Sequence, residues 1–118
     1  MVQAALPSDR FGRSRRFARY RASLKLRVLV LGAQGRLEIT GLCNQLGEGG
    51  LGAIIGTELS IGEMVDVQLF LPSETDALSF RAVVRWRDRL QHGFEFFGMS
   101  ADDSGKIRSF CKTLENAR

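Results

Sequence analysis

Little in this sequence could carry out covalent chemistry. Its 118 residues include a single histidine, His92, and two cysteines, Cys43 and Cys111. His92 stands next to Gly93 at the start of an expected strand with no paired serine or cysteine nucleophile, so it reads as a surface or strand-end residue. The cysteines lie far apart, without a CxxC step or a histidine cluster, which argues against a zinc site or a disulfide framework. Both read as buried apolar residues. The carboxylates Glu38, Glu48 and Asp66 show no spacing suited to metal ligation or paired acid–base work. The chain is therefore expected not to be an enzyme, and no metal or cofactor is expected. Long apolar runs are also missing. None approaches the ~18–20 residues of a membrane span, and the first nine residues lack the basic start and apolar stretch of a signal peptide. A cytoplasmic address is expected.

What the chain does contain is ordinary globular material, 44% hydrophobic and 25% charged, in a length that suits one domain. Charge is the exception. Residues 10–21 hold six arginines (Arg10, Arg13, Arg15, Arg16, Arg19 and Arg21) and no acid, leaving 11 basic and 13 acidic residues elsewhere. A segment of this polarity is expected to meet an anion. Every basic residue in it is arginine, whose planar fork suits phosphate and the O6/N7 edge of guanine better than a point charge does. The charge alone also fits a solvated basic tail, or loose attachment to nucleic acid or anionic lipid.

Alternation of apolar and polar residues predicts strands. Residues 23–31 put Leu24, Leu26, Val28 and Val30 on one face, with Lys25 and Arg27 on the other. Leu37, Ile39 and Cys43 share parity in the next segment, and residues 49–55 read as a short strand entered through glycine. Residues 64–71 turn Val65, Val67, Leu69 and Leu71 inward before Pro72 and Ser73 break the chain. Residues 78–88 set Phe80, Ala82, Val84 and Trp86 against Arg81, Arg85 and Arg87, and residues 91–97 complete a hairpin. The period then changes. Ser100 can cap a helix with Asp102 and Asp103 in its first turn and Ile107, Phe110, Cys111 and Leu114 at helical spacing. The pattern predicts an all-β barrel with one helix at its C-terminus.

Gly47, Gly49, Gly50 and Gly52 formally match GxGxxG, but residues 53–61 have no helical period, so a dinucleotide-binding turn is excluded. A turn or bulge remains, at which backbone closely approaches either another strand or a ligand.

With Arg15-Arg16-Phe17-Ala18-Arg19 before the first strand, residues 45–52 at the glycine cluster, and residues 83–86 and 93–96 in the late strands, in this order and spacing, the chain resembles the PilZ family over about residues 14–114. Arg15-Arg16-Phe17-Ala18-Arg19 matches the family's RxxxR motif just before the first strand. Gln45-Leu46-Gly47-Glu48-Gly49-Gly50-Leu51-Gly52 corresponds to its [D/N]xSxxG stretch. Val83-Val84-Arg85-Trp86 and Gly93-Phe94-Glu95-Phe96 are similar to its paired late strands. The resemblance implies a six-stranded antiparallel PilZ-type β-barrel with a C-terminal α-helix, divided into a tail (1–9), a basic RxxxR arm (10–22) and the barrel with its helix (23–118). It further implies a non-enzymatic second-messenger sensor, with the arm closing over cyclic di-GMP on the barrel. The ligand-binding residues would be Arg15, Arg16, Arg19, Gln45, Gly47 and Gly50. Gln45 stands where the family has Asp or Asn, and Gly47 where it has Ser. Gln45→Asp with Gly47→Ser would restore the acceptor and the hydroxyl, provided that Gly47 does not need a positive φ. The alternative is an adaptor that has lost the ligand and acts by protein–protein contact in pilus, motility or exopolysaccharide machinery. The expected partners are cyclic di-GMP and an unidentified downstream protein, with no specific nucleic acid and no membrane span.

Overall fold

The computed structural model describes residues 18–32 and 35–116. Six strands follow one another: β1 (Arg19–Gly32), β2 (Gly35–Gly47), β3 (Gly50–Ile55), β4 (Met64–Leu69), β5 (Leu78–Asp88) and β6 (Gln91–Phe97). They close in the order β1-β2-β3-β6-β5-β4, with β4 returning to β1 and every neighbouring pair antiparallel. Closure removes the sheet edges and gives each strand an inner and an outer face. Leu24, Leu26 and Val28 of β1, Val65, Val67 and Leu69 of β4, and Phe80, Ala82 and Val84 of β5 fill the interior. These are the positions that the alternation predicts. β1 begins at Arg19, four residues earlier than the strand expected from Ser23, because Arg19 to Arg21 pair with Gly47 to Gln45.

The helix α1 (Ala101–Asn116) follows. The Asp103 N–H donates to Ser100 Oγ at 3.1 Å, which makes Ser100 the N-cap, and Asp102 and Asp103 lie where the helix dipole favours negative charge. Ile107 and Cys111 are buried, and the half-buried Phe110 packs against the same core. The helix thus closes the barrel with one apolar stripe.

Two expectations fail, for local reasons. Trp86 does not join the core. Val84 opposes Phe94 and Trp86 opposes Gly93, so Arg85 is an extra residue in β5. This bulge turns Trp86 to the outer face, where it is half-buried over Gly93. His92 does lie at the start of its strand, the second residue of β6, but it is not at the surface. It is fully buried, with its ring stacked on Phe94 at a centroid distance of 6.0 Å. Both ring nitrogens are satisfied: Nε2 accepts from the Leu59 N–H at 3.0 Å, and Nδ1–H donates to the Leu90 carbonyl at 2.8 Å. A neutral imidazole with both partners supplied by backbone can be buried without a stranded polar atom.

Burial pushes the His92 pKa below its ordinary 6.5; the Leu90 hydrogen bond opposes this and the Arg87 charge reinforces it. The unfolded chain therefore takes up the proton at higher pH than the folded chain. The stability that His92 contributes is fully present above about pH 6.5 and is lost as the pH falls from there through the depressed folded value. The melting temperature is expected to drop between about pH 7 and 5.5, and His92→Phe, which cannot titrate, should flatten that drop. Thermal unfolding across this window checks it; equal slopes for the two proteins would contradict it.

Candidate functional site

Between β2 and β3 only Glu48 and Gly49 intervene, a tight two-residue connection. Gly47 opposes Arg19, and a Cβ built on Gly47 would overlap the Ala18 carbonyl oxygen. A Cβ on Gly50 would overlap the Phe94 carbonyl and lie 3.0 Å from Arg19 Nη2. Both positions therefore need glycine for close backbone approach, and the guanidinium of Arg19 lies over the turn. The turn is tied down further. The Phe96 N–H donates to the Gly49 carbonyl at 3.0 Å, and Glu48 pairs with Arg108 of α1 at 3.3 Å.

A second bulge aims the neighbouring side chains. Cys43 opposes Ala53 and Gln45 opposes Gly52, which leaves Asn44 as the extra residue. The Asn44 amide is committed to Gln91, donating Nδ2–H to Oε1 at 2.8 Å and accepting from Nε2 at 3.2 Å. Asn44 is therefore already satisfied, whereas the Gln45 side-chain oxygen is buried and accepts no hydrogen bond among the described residues. A buried acceptor in this state costs roughly 1–3 kcal/mol until a donor meets it.

Directly opposed residues of antiparallel strands share a face. One outer row therefore runs Arg21, Gln45, Gly52, Gly93, Trp86 across β1, β2, β3, β6 and β5. Beside it lie Arg19, Gly47, Gly50 and Glu95, the last paired with Arg85. The two glycines of the row let side chains lie flat on the wall: the Trp86 indole covers Gly93, and the Asn44 and Gln91 amides cover Gly52. The indole itself offers a face on which a flat ring can stack, while the arginines answer an anion. Among the sequence-derived candidates, Arg19, Gln45, Gly47 and Gly50 are brought together here; Arg15 and Arg16 lie outside the described residues. Trp86, Gly93 and the Arg85–Glu95 pair were not singled out as site residues, since only the strand pairing and the bulges place them here; Gly52, named in the glycine cluster, closely approaches a strand, pairing with Gly93.

Neither thiol is available for chemistry. Cys43 donates to the Gln45 carbonyl at 3.2 Å and Cys111 faces the Leu46 carbonyl at 3.8 Å. Burial raises the first to about 12, and burial together with the charge of Glu48 raises the second to about 11. At neutral pH both remain protonated. The carboxylates of Glu48 and Asp66 pair with Arg108 and Arg81.

A barrel of this order, capped by one helix and carrying an arginine over a glycine turn, defines a class. The model of the PilZ domain matches residues 13–113, and the chain belongs to that family. Among solved structures, the Escherichia coli YcgR PilZ domain with c-di-GMP superposes with a TM-score of 0.67 at 17% identity, over 89% of this chain and 94% of that one. The PilZ domain of CeSA from a cellulose-synthesizing bacterium gives 0.62 at 20% identity, over 83% and 98%. The Bacillus subtilis inhibitor of motility MotI/DgrA gives 0.69 at 21% identity, over 90% of this chain and 54% of that one, so the chain spans about half its length. At these identities the likeness is one of fold. A search of curated protein sequences found no match. No helix among the described residues is long and apolar enough to cross a membrane.

Proposed function

We propose that this PilZ-domain chain is a non-enzymatic, cytoplasmic sensor of cyclic di-GMP, in which the basic residues 10–17 close over the dinucleotide against Arg19, already fixed in β1, and the outer face of the barrel. The observation that carries this reading is the contact between its two motifs: the guanidinium of Arg19 lies over Gly50, beside a buried Gln45 oxygen that lacks a donor. A dinucleotide offers groups suited to both: phosphates match the arginine fork, and guanine N–H groups would supply the donor that the amide oxygen lacks. Arg15 and Arg16 would complete the clamp from the other side. Anion binding would neutralise a self-repelling segment and draw it onto the barrel, presenting a new surface to a downstream protein. The E. coli PilZ domain solved with c-di-GMP is consistent with this reading.

A second reading, a ligand-free adaptor, is favoured by Gly47. Its φ is not among the positive ones, yet the Ala18 carbonyl leaves no room for a serine. The obstacle to restoring the motif is thus close packing rather than backbone handedness. Gln45→Asp alone is expected to tighten cyclic di-GMP binding several-fold at an unchanged melting temperature, whereas adding Gly47→Ser should lower that temperature. Thermal unfolding and titration of both variants check this, and a double variant as stable as the parent would contradict it.

Trp86, the only tryptophan, reports directly on the outer row. A saturable change in its fluorescence with cyclic di-GMP, absent with GTP, supports the sensor. An unchanged signal together with unchanged thermal stability supports the adaptor.

A further inference from the structure

The β1–β2 hairpin runs on past the barrel wall. β4 pairs with β1 only from Leu26 to Leu29, and β3 pairs with β2 only from Gly41 to Leu46. Residues 35–40 of β2 therefore have β1 on one side and, among the described residues, no strand on the other. This open edge reads Gly35-Arg36-Leu37-Glu38-Ile39-Thr40. Arg36, Glu38 and Thr40 are exposed, Leu37 is 52% exposed and Leu31, opposite Arg36, is 85% exposed. Among the described residues neither Arg36 nor Glu38 has an ion-pair partner. Unpaired N–H and C=O groups on such an edge template a further strand.

We propose that this edge joins two copies of the chain, residues 35–39 of each running antiparallel with Leu37 opposite Leu37 of the second copy. A strand that pairs with its own copy about a two-fold axis has one residue opposite itself at the centre, so only a few registers exist. Centring on Leu37 places Arg36 of each copy opposite Glu38 of the other, giving two opposite-charge pairs on the outer face. It also buries the exposed leucine against its twin. Centring on Glu38 would oppose two carboxylates, and centring on Arg36 two guanidiniums, both unfavourable across a strand pair. Centring on Ile39 would bring in Gly41 and Leu42, whose edge β3 already covers. Charge complementarity therefore selects both the partner and the register. The contact lies at the opposite end of β1 from Arg19, roughly 40 Å away along 14 residues of strand. Both ligand-site walls stay open in the dimer.

Sedimentation analysis of the purified chain over a concentration series up to about 1 mM is the test, using two charge reversals at exposed positions. The parent is expected to show a reversible monomer–dimer equilibrium that weakens with salt. Arg36→Glu and Glu38→Arg should each weaken it at least about tenfold, since each turns two attractive pairs into two repulsive ones. Mixing the two single variants should restore association, because every cross pair is then of opposite sign, and the double variant should dimerise alone. Melting temperatures close to the parent's would confirm intact folds. A parent that stays monomeric throughout, or a dimer indifferent to both reversals and to mixing, would overturn the proposal.

Discussion

Arg19→Ala is expected to weaken cyclic di-GMP binding by one to two decades, the loss of a charge-assisted contact worth about 1.5–3 kcal/mol. The side chain is half-buried and its Nη2 lies over Gly50, so it is held in place before ligand arrives. A preorganised arginine gives up little side-chain entropy on binding, which is why its removal should cost the full contact. The same packing means that the variant also loses some stability, unlike a change in a solvated tail. Arg19→Lys separates charge from geometry: it keeps the positive charge but not the planar fork, and should fall between alanine and the parent. Titration of the three proteins checks the order. Equal affinities across the series would remove Arg19 from the site.

Phe94→Ala should destabilise the fold by about 3–5 kcal/mol, the usual cost of deleting a fully buried aromatic ring. Phe94 is 1% exposed, opposes Val84 and Leu51 on the inner face and stacks on His92. The change therefore opens a cavity at the junction of three strands and strips the imidazole of its neighbour. Against a typical domain stability of about 5–15 kcal/mol, such a loss removes a large share. Phe80→Ala, at a ring packed edge-on against Phe96 with centroids 4.9 Å apart, should cost a comparable amount. Trp86→Ala should cost clearly less, because the indole lies outside the barrel. Denaturant unfolding orders the three variants; a Trp86 effect as large as that of Phe94 would mean that the bulge at Arg85 does not turn the indole outward.

Elements whose side-chain period is uninterrupted were readable from the residues. Leu24, Leu26 and Val28 alternate without a break and face inward, and Ser100 with its two following aspartates marked the helix start. The misreadings sit where an extra residue resets the period. Bulges in β1 between Arg21 and Leu24, in β2 at Asn44 and in β5 at Arg85 leave no trace in hydropathy, since each follows from the partner strand rather than the bulged one. Trp86 fell on the wrong side of the third. His92 was misread because its satisfying groups, the Leu59 N–H and the Leu90 carbonyl, are backbone atoms of loops, which no residue pattern announces.

For the candidate site the division is similar. Arg19, Gln45, Gly47 and Gly50 were nameable because their spacing matches motifs, and the fold gathers them at one turn. The Gly52–Gly93 pair, with the Trp86 indole laid over Gly93, was not, because it exists only through the pairing of β3 with β6 and the bulge in β5. Nor could spacing reveal that Asn44 is engaged by Gln91 while Gln45 keeps a buried acceptor without a donor.

Calorimetric titration of the unmodified chain with cyclic di-GMP, alongside GTP and a mixed-sequence DNA oligomer at moderate salt, tests the sensor reading most directly. The predicted result is saturable heat with the cyclic dinucleotide alone, at micromolar affinity or tighter. Absence of heat with cyclic di-GMP at several temperatures would contradict it and leave the adaptor, and binding to DNA that collapses steeply with salt would reassign the arginines to a non-specific polyanion contact.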